Sequence, residues 1–363
     1  MGIILSLLTF VFVISVLVAV HELGHLIIAR KNGVFVEAFS IGCGPVLTEK
    51  LDKYGTKWRV SLLPIGGYVK MLGDADITSV REIIPDNVSE EEMEMMSIHR
   101  KKPWQKLLVA VGGPLANLIF AVVVLTGLSM IVGIPTYLNV IHTTSESSIA
   151  YKSGLRNGDK IISINNQSIE KFSEIKDIIR KGEDLNIKAE RSGKVEKIHI
   201  KMKDDEGNCI KTIGITPTVL KYEKSTFVNA IWTSCVITYT IAVENISAIC
   251  QIIVAKRSTK DVGGVISIFK MAEESAEKGI SSLIWMMAFL SIILGAVNLL
   301  PIPVLDGGTI LISSIEWIIG RPLNEKFVNA IFFIGLTAVA LLMLLGIWND
   351  LAKLKFIKWM FVK

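Results

Sequence analysis

The sequence predicts a polytopic α-helical membrane protein with about four transmembrane helices, a membrane-associated β-hairpin region and one inserted α/β domain. Three observations predict it. Apolar residues make up 51% of the 363 residues before glycine is counted, above the soluble norm of about 45–50% that already includes glycine. They gather in a few runs long enough to span a bilayer core, with most of the charge between the runs. Only the stretch from about Pro135 to Pro217 has the composition of a soluble α/β domain. The net charge of +5 is modest and no Lys/Arg run carries interleaved aromatics, so no nucleic-acid partner is expected. The four cysteines, Cys43, Cys209, Cys235 and Cys250, share no C-x-x-C spacing and indicate neither a zinc knuckle nor a disulfide framework.

Residues 1–134 are expected to form the first part of the membrane core. Ile3 to Ala29 is apolar apart from Ser6, Thr9, Ser15 and the group His21, Glu22 and His25. It lacks the basic start and small-residue cleavage site of a signal peptide, and Arg30 and Lys31 follow it, so it reads as a retained transmembrane helix. Gly33 to Gly73 is rich in glycine and β-formers and reads as short strands, and Asp74 to Met96 as an acidic loop. A basic block, His99 to Lys106, leads into a second span from Leu107 to about Val132. The positive-inside rule puts this block and Arg30/Lys31 in the cytoplasm, with the amino terminus and Thr136 onward outside.

Residues 135–220 form the expected outer domain, with strands at Lys160–Ile164 and Asn186–Glu190 and a short helix from Ser173 to Arg180. Residues 221–282 are expected to be an amphipathic surface segment. Phe227 to Ala255 is long enough to cross, but one crossing there would put the Arg321/Lys326 loop outside, against the charge rule. Residues 283–363 complete the core: a third span from about Leu283, broken from Asn298 to Gly308 by Pro301, Pro303 and two glycines, and a fourth from Phe327 to Ile347. This leaves Lys353, Lys355, Lys358 and Lys363 outside, the one charge feature against the arrangement.

His21-Glu22-Leu23-Gly24-His25 is an H-E-x-x-H pattern. On a helix its histidines stand at i and i+4 on one face, so both imidazoles can bind one metal while Glu22 stands beside the attacking water. Within an apolar span, each charged group costs at least about 2.5 kcal/mol of insertion, which a structural helix has no reason to bear. A catalytic zinc needs a third protein ligand and an open position. His99, His142 and His199 lie outside the spans, whereas Asp306 sits at the break in the third. Counted from outside, His21 and His25 lie about 27 and 33 Å down the first helix and Asp306 about 34 Å down the third. Glu316 is the alternative carboxylate, which would make the chain a different membrane zincin; a membrane scaffold that carries the inserted domain, without catalysis, is the other reading.

Ser153-Gly154-Leu155-Arg156-Asn157-Gly158-Asp159, followed by Ile164-Asn165-Asn166, resembles a PDZ domain. Together with His-Glu-x-x-His in a first span and Asn298-x-x-Pro-x-Pro-x-Leu-Asp-Gly-Gly in a later one, it makes the chain similar to the bacterial site-2 proteases of the RseP/RasP type, from Ile3 to about Leu354. The resemblance implies an intramembrane zinc metalloendopeptidase with one Zn2+ per chain, held by His21, His25 and Asp306, with Glu22 catalytic and Asn298 near the substrate. It implies single-pass membrane substrates, such as an anti-sigma factor already trimmed by an upstream site-1 protease, or remnant signal peptides. It also implies a multi-pass protein of the bacterial cytoplasmic (inner) membrane with its PDZ domain extracytoplasmic. Gly112 to Asn117 matches the family's glycine-proline-asparagine turn, and Gly33 to Gly73 its membrane-entering β-hairpin. One PDZ unit instead of two, Thr309 after Asp-Gly-Gly and Val265 in place of proline are departures.

Overall fold

The computed structural model describes residues 3–73, 90–143, 145–180, 182–202, 212–218, 220–254 and 263–353. Most of the acidic loop, 74–89, and the lysine tail beyond 353 lie outside the described residues. The chain runs α1 (Ile3–Lys31), β1 (Val36–Leu51), β2 (Lys57–Met71), α2 (Glu90–Met95), α3 (Pro103–Ile131), β3 (Ile134–Tyr137), β4 (Ile141–Thr143), α4 (Ile149–Lys152), β5 (Lys160–Ile164), β6 (Gln167–Ser168), α5 (Phe172–Arg180), β7 (Leu185–Arg191), β8 (Lys194–Ile200), β9 (Ile215–Pro217), β10 (Leu220–Glu223), α6 (Phe227–Ile253), α7 (Val265–Glu277), α8 (Ile280–Asn298), α9 (Asp306–Ile319) and α10 (Glu325–Lys353). It divides into two compact units, Met1–Leu128 with Phe227–Lys363, and Ser129–Thr226.

In the first unit, α1, α3, α6, α8 and α10 are long and apolar enough to cross a membrane. Contacts set their directions. Gly24 of α1 meets Gly112 of α3, and His25 meets Val109, so these two helices run antiparallel. Ala288 and Ile292 of α8 pack with Ala121 and Leu125 of α3, and Gly295 lies against Pro114, so α8 runs parallel to α1. The last helix returns: Gly335 of α10 lies against Pro303 and Asp350 reaches Gly264 and Ser267 at the start of α7.

The structure differs from the sequence reading over Phe227 to Ala255. Instead of lying across the ends of the other helices, α6 places Ile237 and Ile241 against Ala121 and Leu125 of α3 and Ala288 and Ile292 of α8. The inward run is followed by a return leg. Along α7, Ile268 packs with Val13 and Leu17, Phe269 with Phe10 (ring centroids 5.8 Å apart), and Glu273 accepts a hydrogen bond from Ser6 Oγ at 3.0 Å. Helix α7 therefore climbs antiparallel to α1, back to the end at which α8 begins. Because α7 runs back along α1 after α6, α8 begins at the end of the bundle from which α1 starts and runs parallel to it.

The strands from Val36 to Met71 form more than a simple hairpin. The first half of β1 pairs antiparallel with the end of β2 (Phe39 with Val69, Ile41 with Gly67) and parallel with its beginning (Phe39 with Trp58, Ile41 with Val60). The second half of β1 pairs antiparallel with that same beginning (Leu51 with Lys57, Thr48 with Val60). Two long segments, each used twice, thus make a four-stranded sheet whose one edge is Gly67–Met71. Its buried residues Val36, Phe39 and Met71 pack on Leu26 and Ala29 of α1 and Val109 of α3.

The second unit has its own apolar core, with Ile141, Leu155, Ile161, Ile164, Ile175, Leu185, Ile187 and Ile200 almost wholly buried. Its main sheet has the order β6-β5-β7-β8, and β4 pairs with β9. Arg191 clamps the buried Asp159 through two bonds of 2.7 Å, the Arg156 N–H caps the same carboxylate at 2.8 Å, and Asn157 accepts the Thr143 N–H at 2.8 Å. The entry strand β3 pairs with the exit strand β10, Ile134 opposite Glu223, so the unit joins the rest of the chain through one clasp.

Candidate metal centre and active site

A backbone-to-backbone contact between two helices builds the site. A Cβ at Gly24 would stand 2.2 Å from the Gly112 carbonyl oxygen, so only glycine lets α1 and α3 approach this closely. The adjacent Gly113 leaves room for the imidazoles: a Cβ there would lie 2.4 Å from His25 Nε2 and 2.8 Å from His21 Nε2. One turn on α1 separates the two rings, whose Nε2 atoms are 3.2 Å apart.

Asp306 comes from the break after α8. Leu299 to Leu305 folds back on the start of α9, and a Cβ at Gly307 would stand 1.9 Å from the Leu300 oxygen, so the Asp-Gly-Gly sequence is what the fold-back requires. Val304 takes φ +107°, a conformation costly for a β-branched residue, immediately before this turn. Asp306, first residue of α9, then points its Oδ2 at His21 Nε2 (3.1 Å) and its Oδ1 at His25 Nε2 (3.3 Å).

These atoms fit a metal. A tetrahedral zinc shell with bonds of about 2.0–2.1 Å spaces its ligand atoms about 3.3–3.4 Å apart; the two Nε2 atoms are 3.2 Å apart, and the Asp306 carboxylate sets one oxygen 3.1 Å from His21 Nε2 and the other 3.3 Å from His25 Nε2. Asp306 Oδ2 is buried without a hydrogen bond, an expense that a cation would remove. The side chains of His21, His25 and Asp306 are only 11%, 12% and 20% exposed. Behind the rings, His25 Nδ1 donates to the Val109 carbonyl at 2.8 Å, which leaves its Nε2 lone pair for the metal.

Glu22, on the next position of α1, reaches the sheet edge: its carboxylate accepts the Val69 N–H, and Gly67 lies beside its Cγ. The catalytic candidate therefore stands between the metal candidates and a strand edge that makes no strand pairing on that side among the described residues. Asn298 ends α8, half-buried, and its side chain makes no hydrogen bond among the described residues. Glu316 is not part of the cluster: it lies ten residues along the helix that Asp306 begins, and its Oε1 accepts the Leu323 N–H at 3.0 Å. Among the described residues, His21, His25 and Asp306 are the one group of three ligand side chains close enough to share an ion. The sequence reading missed Val69 and Val109, which act through backbone atoms and carry no side-chain signature. It quoted Gly113 only as part of a motif, although two adjacent glycines inside an apolar span signal a close helix contact.

Comparison with known proteins gives the family. Residues 9–344 match Peptidase family M50. A protein of Agrobacterium fabrum named as a zinc metalloprotease is 31% identical over 364 residues, covering 95% of each chain. A similarly named protein of Rickettsia conorii is 32% identical over 364 residues, 96% of this chain and 99% of the other. The protease Eep of Enterococcus faecalis is 28% identical over 425 residues, 97% of this chain and all of that one. With its apolar helices, this similarity makes the protein a multi-pass membrane protein, and the chain belongs to peptidase family M50, the site-2 proteases, as a zinc metalloprotease.

Proposed function

We propose that this protease cuts transmembrane segments of single-pass membrane proteins within the bilayer. The observation that carries the reading is the meeting of three metal-donor side chains, Glu22 and an open strand edge inside a bundle of apolar helices. His21, His25 and Asp306 would hold one zinc ion. When bound, zinc supplies Lewis-acid polarisation of the scissile carbonyl and a water acidified toward neutral pH. Glu22 takes the proton of the attacking water and hands it to the leaving amine, and the Val69 N–H steadies its carboxylate meanwhile.

A helical substrate hides its carbonyls in i to i−4 hydrogen bonds, so it must unwind before it is cut. The Gly67–Met71 edge offers the opened segment a strand to pair with, right beside Glu22. Small or helix-breaking residues near the cut ease the unwinding. The unpartnered Asn298 amide orients the substrate backbone. We place the protein in a bacterial cytoplasmic membrane, with Arg30, Lys31 and the block from His99 to Lys106 inside and the PDZ-like unit outside. Its substrates are then remnant signal peptides or anti-sigma factors first trimmed by a site-1 protease.

The test is reconstitution of the purified full-length protein in vesicles with a single-pass substrate, and mapping of the products by mass spectrometry. A cut inside the apolar segment that disappears in Glu22→Gln is expected. Cuts confined to the substrate's soluble flanks would sink the reading.

A further inference from the structure

We propose that Asn117 is a positioning residue, which fixes the His21 ring for metal binding by accepting its Nδ1–H on the side-chain oxygen. The inference rests on the zinc-site reading above. His21 Nε2 faces His25 and Asp306, so its lone pair belongs to the metal and the ring's one proton sits on Nδ1. That proton needs an acceptor, because an unpaired donor in a buried apolar setting is costly. For His25 the Val109 carbonyl serves. For His21, the group at hydrogen-bond distance from Nδ1 is the side-chain amide of Asn117, 3.1 Å away.

Asn117 is wholly buried on α3, a span where a bare amide has no other justification. With its nitrogen toward His21, its Oδ1 is buried and without a partner. Turning the amide by half a rotation, which leaves its shape unchanged, brings Oδ1 to Nδ1–H and satisfies both. The backbone around it is locked: its carbonyl accepts the Ser291 Oγ hydrogen bond at 2.9 Å, and Gly295 of α8 packs on its Cβ. The two metal-binding rings are thus both held from α3, one by a main-chain oxygen and one by a side chain. Only the second can be altered by mutation.

The experiment measures zinc affinity of the purified full-length protein in detergent, by competition with a chromogenic chelator, for wild type, Asn117→Leu, Asn117→Asp and Ser291→Ala. Asn117→Leu keeps the volume and removes the acceptor, and should weaken zinc binding about 10–100-fold. Asn117→Asp keeps an acceptor and should bind zinc at least as tightly as wild type, and Ser291→Ala, which disturbs only the packing of the Asn117 backbone, should match wild type. Zinc affinity of Asn117→Leu within threefold of wild type, or equal losses in the Leu and Asp variants, overturns the proposal. If Asn117→Leu does not yield folded protein, the Asp variant decides alone, since a loss of affinity there rejects the acceptor role. Failure of the underlying site reading looks different: wild type itself would then bind zinc no more tightly than Asp306→Ala.

Discussion

In the proposed mechanism Glu22 and Asp306 have separable tasks, because one takes a proton and the other holds a metal. Glu22→Gln should keep zinc and lose at least about 10²–10⁴-fold in turnover, since an amide accepts no proton; metal analysis and product quantification of one preparation check both halves. Asp306→Ala leaves two ligands where a catalytic zinc needs three, so zinc content and cleavage should fall together. Gly113→Ala is the harsher test of geometry. Its methyl group would press on both imidazoles, 2.4 Å from His25 Nε2, and zinc affinity should fall at least about tenfold with Glu22 and the ligands intact. At this scale the sequence was informative where chemistry has a fixed spacing. His21 and His25 lie one turn apart in one helix, and Asp306 stands at a proline and glycine break in an apolar run, whereas the Val69 N–H and the Val109 carbonyl belong to residues that any apolar side chain could replace.

Two elements depend on single carboxylates. Asp52, in the turn between β1 and β2, is held by Arg30 at the end of α1, by Trp58 Nε1 at 2.9 Å and by the N–H groups of Tyr54 and Thr56. Burial alone would raise its pKa, but the hydrogen bonds from Trp58, Arg30, Thr56 and Tyr54 bring it down to about 2. A depressed carboxylate stabilises the fold fully above its unfolded value of about 3.9 and loses that contribution as pH falls to about 2. Asp52→Asn should therefore make the 52–57 turn easier to nick by protease at pH 7, with the difference from wild type shrinking between pH 4 and 2. Elsewhere in the first unit, the buried Asp350 caps α7 by accepting the N–H groups of Gly264 and Ser267 and the Ser267 hydroxyl. Asp350→Ala should cost about 1–3 kcal/mol in denaturant unfolding, since it strands buried donors. Neither the sheet nor α6 was fully legible in the sequence. Alternating residues mark a strand without naming its partner, so the double use of β1 and β2 was hidden, and counting α6 as a single crossing overlooked its return leg α7.

For the whole chain, the clasp between β3 and β10 makes the unit from Ser129 to Thr226 removable. Ile134 and Glu223 are paired neighbours, so a short Gly/Ser linker joining Leu128 to Phe227 bridges a small gap. The shortened protein should fold, bind zinc as wild type does and cut a pre-trimmed substrate. If the unit acts as a size filter, it should also cut substrates that still carry their ectodomains. A folded, zinc-loaded deletion variant that still demands trimming would make the unit a ligand sensor instead. The inserted domain was visible in the sequence because its composition changes at both borders; its single attachment was not, because the paired residues of the two clasp strands are 83 or more positions apart in the chain.

The glycine contact between α1 and α3 also determines how a substrate can arrive. Gly24 and Gly112 leave no space for sliding, and the same seam carries the His25 bond to Val109 and the His21 contact with Asn117. Parting these two helices would pull the rings off their supports, so this seam is a poor route for a substrate. Entry is then expected on the other face of α1, where Glu22 lies beside Gly67 and Val69. A covalent staple across the α1–α3 seam should accordingly leave cleavage untouched, while one that ties the Gly67–Met71 strand to a facing helix should stop it.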